Sequence, residues 1–188
     1  MGIDYSITYH GVSEGEILRT KDYCVYAYSL DHTTDCCAYV FEEASRVKAD
    51  KAKVRELGIE GPLVRELKAG NPVSWRGKVV RPEDLVYSVP GRKIVYVADT
   101  RPVVHEYARG ATVLIHDSTF SHSDSALAVE KKHSTAREAA ELARTLGVNQ
   151  LILFHFSTRV KDISLLEREA KEVFEDSVAA HDGYTLEL

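Results

Sequence analysis

Three short strings place potential metal ligands where apolar runs end: Leu30-Asp31-His32-Thr33, Ala98-Asp99-Thr100-Arg101-Pro102 and His155-Phe156-Ser157-Thr158-Arg159. Zinc takes imidazole nitrogen and carboxylate oxygen, and one carboxylate can bridge two ions through its two oxygens. Two zinc ions about 3.5–4 Å apart can share a hydroxide and clamp a phosphate under attack. In such a site His32 serves one ion, His155 serves the other and Asp99 bridges them. Singly, each residue is weak evidence. A strand-end histidine is often a satisfied structural residue, and Asp before Thr after a strand commonly caps a helix.

These residues depend on the elements that hold them. Lys93 to Val97, Thr112 to Ile115 and Leu151 to Phe154 read as short apolar strands. Helical segments are predicted at 102–109, 123–131 and 135–146. The last has the capping box Thr135-x-x-Glu138 and Gly147 as a stop. Ser164-x-x-Glu167 opens a further helix through Val173, and strands at 177–181 and 184–188 flank an Asp182-Gly183 turn. Strands alternating with helices predict an α/β layer with a partly parallel sheet, whose ligands collect at the carboxyl ends of the strands. Asp99, His116-Asp117 and His155 occupy those ends.

Earlier in the chain, Tyr5 to His10, Asp22 to Ser29 and Cys36 to Glu43 mix apolar and polar residues as half-buried strands do. Between them and residue 92, glycine and proline recur every few residues. Short helices are predicted at 49–57 and 63–69 with little else regular. The segment reads as an extended arm over 46–92 inserted into a single lobe of 1–188.

Charge singles out the same segment. The chain carries a net charge of −5, yet residues 46–93 hold twelve Lys and Arg against six Asp and Glu. A basic segment on an otherwise acidic molecule is suited to an anionic polymer. The 44% hydrophobic and 28% charged content is that of a soluble globular protein. No apolar run approaches a membrane span, and the N-terminus lacks a signal pattern. Cys24, Cys36 and Cys37 form no Cys-x-x-Cys, which argues against structural zinc or a disulfide framework and for reduced thiols in the cytoplasm.

Six strings in order carry a resemblance. Leu30-Asp31-His32-Thr33 followed by Ala38-Tyr39-x-Phe41-Glu42, then Gly58-Ile59-Glu60-Gly61-Pro62-Leu63, Ala98-Asp99-Thr100, His116-Asp117-Ser118-Thr119, His133-Ser134-Thr135 and His155-Phe156-Ser157-x-Arg159 resemble the C-terminal part of ribonuclease Z. That family's endonucleases trim the 3′ ends of precursor tRNA within the metallo-β-lactamase superfamily. The resemblance implies an α/β fold, the C-terminal lobe of an αββα sandwich with an inserted basic arm. It implies a two-zinc centre served by His32, Asp99 and His155. His133 would protonate the leaving 3′ oxygen, with Asp117 orienting its ring. Arg159 would contact the scissile phosphate, and Gly61, Pro62, Arg65 and Lys68 would belong to a flexible tRNA-binding arm that can serve the partner in a homodimer.

The chain departs from that pattern. It has no His-x-His-x-Asp-His cluster, Asp117 stands where the family has Glu, Ala98 replaces Gly, and Val160 stands where Tyr is common. The missing cluster predicts open metal shells in this chain alone and a sheet face with nothing over it. A separate N-terminal half, a second copy of the chain or a missing segment could supply the rest. The expected activity is therefore that of an endoribonuclease lobe completed by an N-terminal partner. The alternatives are a catalytically silent RNA-binding or interaction module and another hydrolase of the superfamily.

Overall fold

Short runs of β-branched and apolar residues form the strands, and the glycines and prolines between them mark turns. The computed structural model describes residues 6–12 and 14–188. In chain order the elements open with β1 (Gly15–Arg19), β2 (Tyr23–Ser29) and β3 (Cys37–Glu43). The middle contains β4 (Arg46–Ala49), α1 (Lys51–Leu57), α2 (Gly61–Lys68), β5 (Val73–Trp75), β6 (Lys78–Val80), α3 (Pro82–Leu85) and β7 (Val86–Val89). The remainder has β8 (Lys93–Val97), β9 (Val113–Asp117), α4 (Ser125–Lys131), α5 (Ala136–Leu146), β10 (Gln150–Phe154), α6 (Ile163–Lys171) and β11 (Ser177–Ala179). Two units result: residues up to 42 with 92–188, and Glu43–Gly91.

The larger unit is built on a seven-stranded sheet in the order β1-β2-β3-β8-β9-β10-β11. Strands β8, β9, β10 and β11 run parallel, whereas β3 pairs antiparallel with β8. Crossover connections join the parallel strands, through α4 and α5 from β9 to β10 and through α6 from β10 to β11, so their carboxyl ends share one edge. In register, Val97, His116 and Leu153 lie side by side, as do Val95, Leu114 and Leu151. All six are buried, forming the core beneath α5 and α6 with Ala139, Ala140, Ala143 and Leu166. Four alanines on the buried face of α5 let that helix sit close to the sheet. Its start follows the sequence: Thr135 accepts from the Glu138 amide at 3.1 Å, and Glu138 accepts from the Thr135 amide at 2.9 Å. Gly147, at φ 63°, closes the other end in the left-handed conformation.

The opposite face carries Ile94, Tyr96, Val113, Ile115 and Ile152. Residues Tyr184, Leu186 and Leu188 share a hollow of about 250 Å³ with Ile94, Val113, Ile115 and Ile152. Nearer the carboxyl edge, Tyr39 and its cross-strand partner Tyr96 remain 41% and 39% exposed.

Several expectations need correction. The segment 102–109 contains only a single 3₁₀ turn at Glu106–Ala108; the β-branched pair Val103-Val104 loses side-chain freedom in a helix. Asp162, rather than Ser164, caps α6. Residues 184–188 form no strand, since β11 pairs in parallel with β10 and leaves the tail to lie along the sheet. Residues 6–10 are irregular, and Tyr5 lies outside the described residues; β1 was not expected.

The basic segment contains more order than its punctuation suggested. Ile59, Leu67, Val73, Val80 and Leu85 form a core of its own, flanked by Val54, Leu63, Val64 and Trp75. β5 and β6 are joined by Arg76-Gly77 with φ of 49° and 76°, the paired left-handed geometry of a tight hairpin. The Arg76 guanidinium lies 5.4 Å from the Trp75 ring centre, and Trp75 Nε1 donates to the Leu57 carbonyl at 2.8 Å. The two short helices expected at 49–57 and 63–69 are present as α1 and α2, whereas strands of three or four residues are too short for a periodicity window and were not legible.

Where this unit's chain enters and leaves, Gly91 packs against Glu43. A Cβ on Gly91 would stand 1.9 Å from the Glu43 carbonyl oxygen, a backbone atom with no easy retreat. Gly91→Ala is expected to destabilise the unit by about 1–3 kcal/mol. Hydrogen exchange checks it: amides of α2 and β6 should exchange faster while those of β9 and β10 are unchanged, and equal protection in α2 would refute the steric role.

Candidate metal centre and its supporting residues

Four side chains converge at the carboxyl edge of the sheet. Asp99 lies two residues beyond β8, Asp117 ends β9, His133 links α4 to α5, and His155 follows β10 directly. One potential ligand atom from each lies within 4.8 Å of the others. Asp99 and His155 both adopt positive φ, 40° and 62°, and Lys132 beside His133 does so at 56°. Such conformations cost non-glycine residues about 1–2 kcal/mol each and persist only where neighbours enforce them. Here the left-handed kink turns the chain sharply at the strand end.

The enforcing contacts are visible. The Ser118 amide donates to the Phe154 carbonyl at 3.0 Å and the Ser157 amide to the Thr119 carbonyl at 3.0 Å, which ties the loops after β9 and β10 together. Ser134 Oγ donates to the Thr100 carbonyl at 2.7 Å. Arg101 bonds the His133 carbonyl and pairs with Glu138, joining the loop after β8 to the head of α5.

Asp117 is the hub. Its side chain is fully buried, so desolvation alone would raise its pKa. Hydrogen bonds reverse that. Oδ1 accepts from the Thr119 amide at 2.9 Å and the Thr119 hydroxyl at 2.6 Å; Oδ2 accepts from the Thr100 amide at 3.0 Å and His133 Nδ1 at 2.8 Å. His155 adds its charge, although its Nδ1 is 3.9 Å from Oδ1, too far for a direct hydrogen bond. The balance brings Asp117 down to about 2. His155 is raised in turn, chiefly by Asp117 and then by Asp99, against burial.

Asp99 Oδ1 is buried and has no hydrogen bond, although His155 Nε2 approaches to 3.1 Å. A buried carboxylate oxygen facing an imidazole nitrogen that is close but misaligned fits a cation held between them. The donor set of carboxylates and imidazoles suits zinc. His32 stands beside this group: its ring centre is 5.0 Å from that of His133, and its Nδ1 donates to the Lys132 carbonyl at 3.1 Å. That bond leaves Nε2 as the free ligand atom, the usual preparation of a metal-binding histidine. Lys132 Nζ also bonds Asp31 at 2.7 Å and so fastens the His32 loop.

The other expected site residues lie apart from this group. Arg159 lines a pocket of about 320 Å³ with Lys161, Ser121, Ser123 and Asp162, beyond the cluster on the same two loops. Gly61 and Pro62 open α2, which carries Arg65 and Lys68 exposed in the smaller unit. There Lys68 joins Lys48, Lys51 and Tyr87 around a cleft of about 770 Å³. Sequence reading missed the supports, Thr100, Thr119, Lys132 and Ser134. Thr100, Thr119 and Ser134 sat inside the quoted strings without a role, and Lys132 lay outside them.

The lowered pKa of Asp117 makes a signed prediction. Its folded-state value lies below that of an unfolded aspartate, so its stabilisation is complete above about pH 4 and is lost as pH falls through about 2. Asp117→Asn should flatten that acid limb of the urea-unfolding free energy and lower stability near neutral pH by about 2 kcal/mol. An unchanged acid limb would contradict the hub.

A profile of the Beta-lactamase superfamily domain matches residues 61–156. Proteins named Ribonuclease Z from Methanosarcina mazei and Archaeoglobus fulgidus are each 40% identical over 99% of this chain and 63% of their own length. One from Myxococcus xanthus is 38% identical over the same shares. The chain thus spans about 63% of the length of these relatives. Among solved structures, the metallo-beta-lactamase fold protein YhfI of Bacillus subtilis aligns with a TM-score of 0.58 at 17% identity, over 90% of this chain and 52% of that one. Human tRNase Z, short form, aligns with a TM-score of 0.51 at 20% identity, over 88% and 43%. The fold is thus that of one metallo-β-lactamase lobe, and the chain belongs to the beta-lactamase superfamily as a homologue of proteins named Ribonuclease Z.

Proposed function

We propose that this chain is the larger lobe of a zinc-dependent endoribonuclease that trims precursor tRNA at the 3′ end. An N-terminal half would bring the missing His-x-His-x-Asp-His ligands. The observation that carries the reading is the unsatisfied Asp99 oxygen within the Asp99, Asp117, His133 and His155 group, on a chain 40% identical to proteins named Ribonuclease Z. Asp99, His155 and His32 would hold the zinc ions, which when bound supply a nucleophilic hydroxide and neutralise phosphate charge.

The chain's own residues then divide the remaining work. Asp117 Oδ2 accepts from His133 Nδ1 and so turns Nε2 outward; the imidazolium form of that ring would hand its Nε2 proton to the leaving 3′ oxygen. Arg159, on the loop after β10 with Lys161 lining the same pocket, would contact the scissile phosphate. The lysines of the smaller unit would grip the tRNA backbone through charge, recognising shape rather than sequence. The protein would work in the cytoplasm, as a homo- or hetero-oligomer; no helix among the described residues is long and apolar enough to cross a membrane. A silent RNA-binding module is the second reading, favoured by the incomplete ligand set.

Cleavage of a precursor tRNA by the chain alone and with the N-terminal segment tests both readings. The chain alone should bind zinc weakly and cut nothing; the combination should cut at the 3′ end, and His133→Ala should slow it by about 10²–10⁴-fold. Strong cleavage by the chain alone would sink the split site, whereas tRNA binding with no cleavage in any combination would favour the silent module. Independently, Lys48→Ala and Lys68→Ala should each lower the slope of log affinity for tRNA against log salt by about 1.

A further inference from the structure

Three buried polar atoms outside the metal-facing group have no hydrogen-bond partner: His116 Nε2, His105 Nε2 and Tyr107 Oη. Buried polar atoms are paired in nearly all native structures, so three unpaired ones in a single region need a cause. They belong to one region of the helix-side core. His116 lies in register with Val97 and Leu153 on that face, and Tyr107 packs against the same core. The His105 and Tyr107 rings stack at 4.8 Å, and Tyr107 stacks on Tyr28 at 4.1 Å.

His116 is fully buried, and its Nδ1 lies 2.8 Å from the carbonyl oxygen of Asp117. A carbonyl only accepts, so Nδ1 carries the proton. The neutral ring then presents Nε2 as a bare acceptor in the core, and burial favours that neutral form. Nδ1 is thus the atom through which the ring holds its place, and Nε2 faces the core without a hydrogen bond.

Along β9 successive side chains point to opposite faces. His116 therefore cannot touch the Asp117 carboxylate; it holds the Asp117 carbonyl from behind. That carbonyl belongs to the peptide leading to Ser118 and Thr119, whose amide and hydroxyl bind Asp117 Oδ1. We propose that His116 is a positioning residue for Asp117, its buried ring fixing the Asp117 carbonyl through Nδ1. This goes beyond the nuclease reading and stands or falls separately from it, since nothing in it requires zinc or RNA.

Amide hydrogen exchange on the metal-free chain tests it. The Thr100 and Thr119 amides both donate to Asp117, so they report its position. In His116→Leu, an apolar replacement suited to the core, both should exchange at least about tenfold faster while β10 and α5 keep their protection. His116→Asn should restore slow exchange, because its amide nitrogen stands where Nδ1 stood. Unchanged Thr100 and Thr119 exchange in His116→Leu would overturn the proposal. So would an equal loss of protection throughout the core without rescue by Asn, which would make His116 a packing residue only.

Discussion

A single buried carboxylate organises the functional edge of this protein. Asp117 has no exposed surface, and burial by itself would favour its neutral form. Two amides, a hydroxyl and an imidazole converge on it instead, and together they hold it ionised. The four donors come from three parts of the edge: Thr100 on the loop after β8, Thr119 with two of them on the loop after β9, and His133 on the link into α5. Satisfying one charge therefore fixes three segments against one another. The left-handed residues Asp99 and His155 then have surroundings that can hold them in a costly conformation.

The parallel sheet makes this arrangement possible. Parallel strands place their carboxyl ends along one edge, so residues far apart in the chain meet there without any long loop. The helix side of the sheet supplies the stiffness, through close packing of the alanines of α5 on Leu114, Leu151 and Leu153. The open carboxyl edge is left for chemistry. On the other face, exposed Tyr39 and Tyr96 continue the apolar surface that the tail only partly covers.

Much of this was legible in the residues. The strand-end strings announced Asp99 and His155, and the capping box over Thr135 to Glu138 placed α5 to the residue. These signals are local, each needing only a few neighbours in sequence. The supports were not legible, because they depend on pairing across the chain. Thr100 reaches Asp117 over 17 residues and Lys132 reaches Asp31 over 101. Nor does spacing reveal that the glycine- and proline-rich segment closes on five buried apolar side chains. The place of Arg159 in a pocket beside the cluster likewise follows from loop geometry alone.

The carboxyl edge is proposed to be one wall of a metal centre. Diffraction at the zinc absorption edge from crystals soaked in zinc salt tests that directly. A metal centre here puts an anomalous peak between Asp99 and His155, close to the buried Asp99 oxygen that lacks a hydrogen bond. Zinc bound only elsewhere on the chain, with that gap empty, would contradict it.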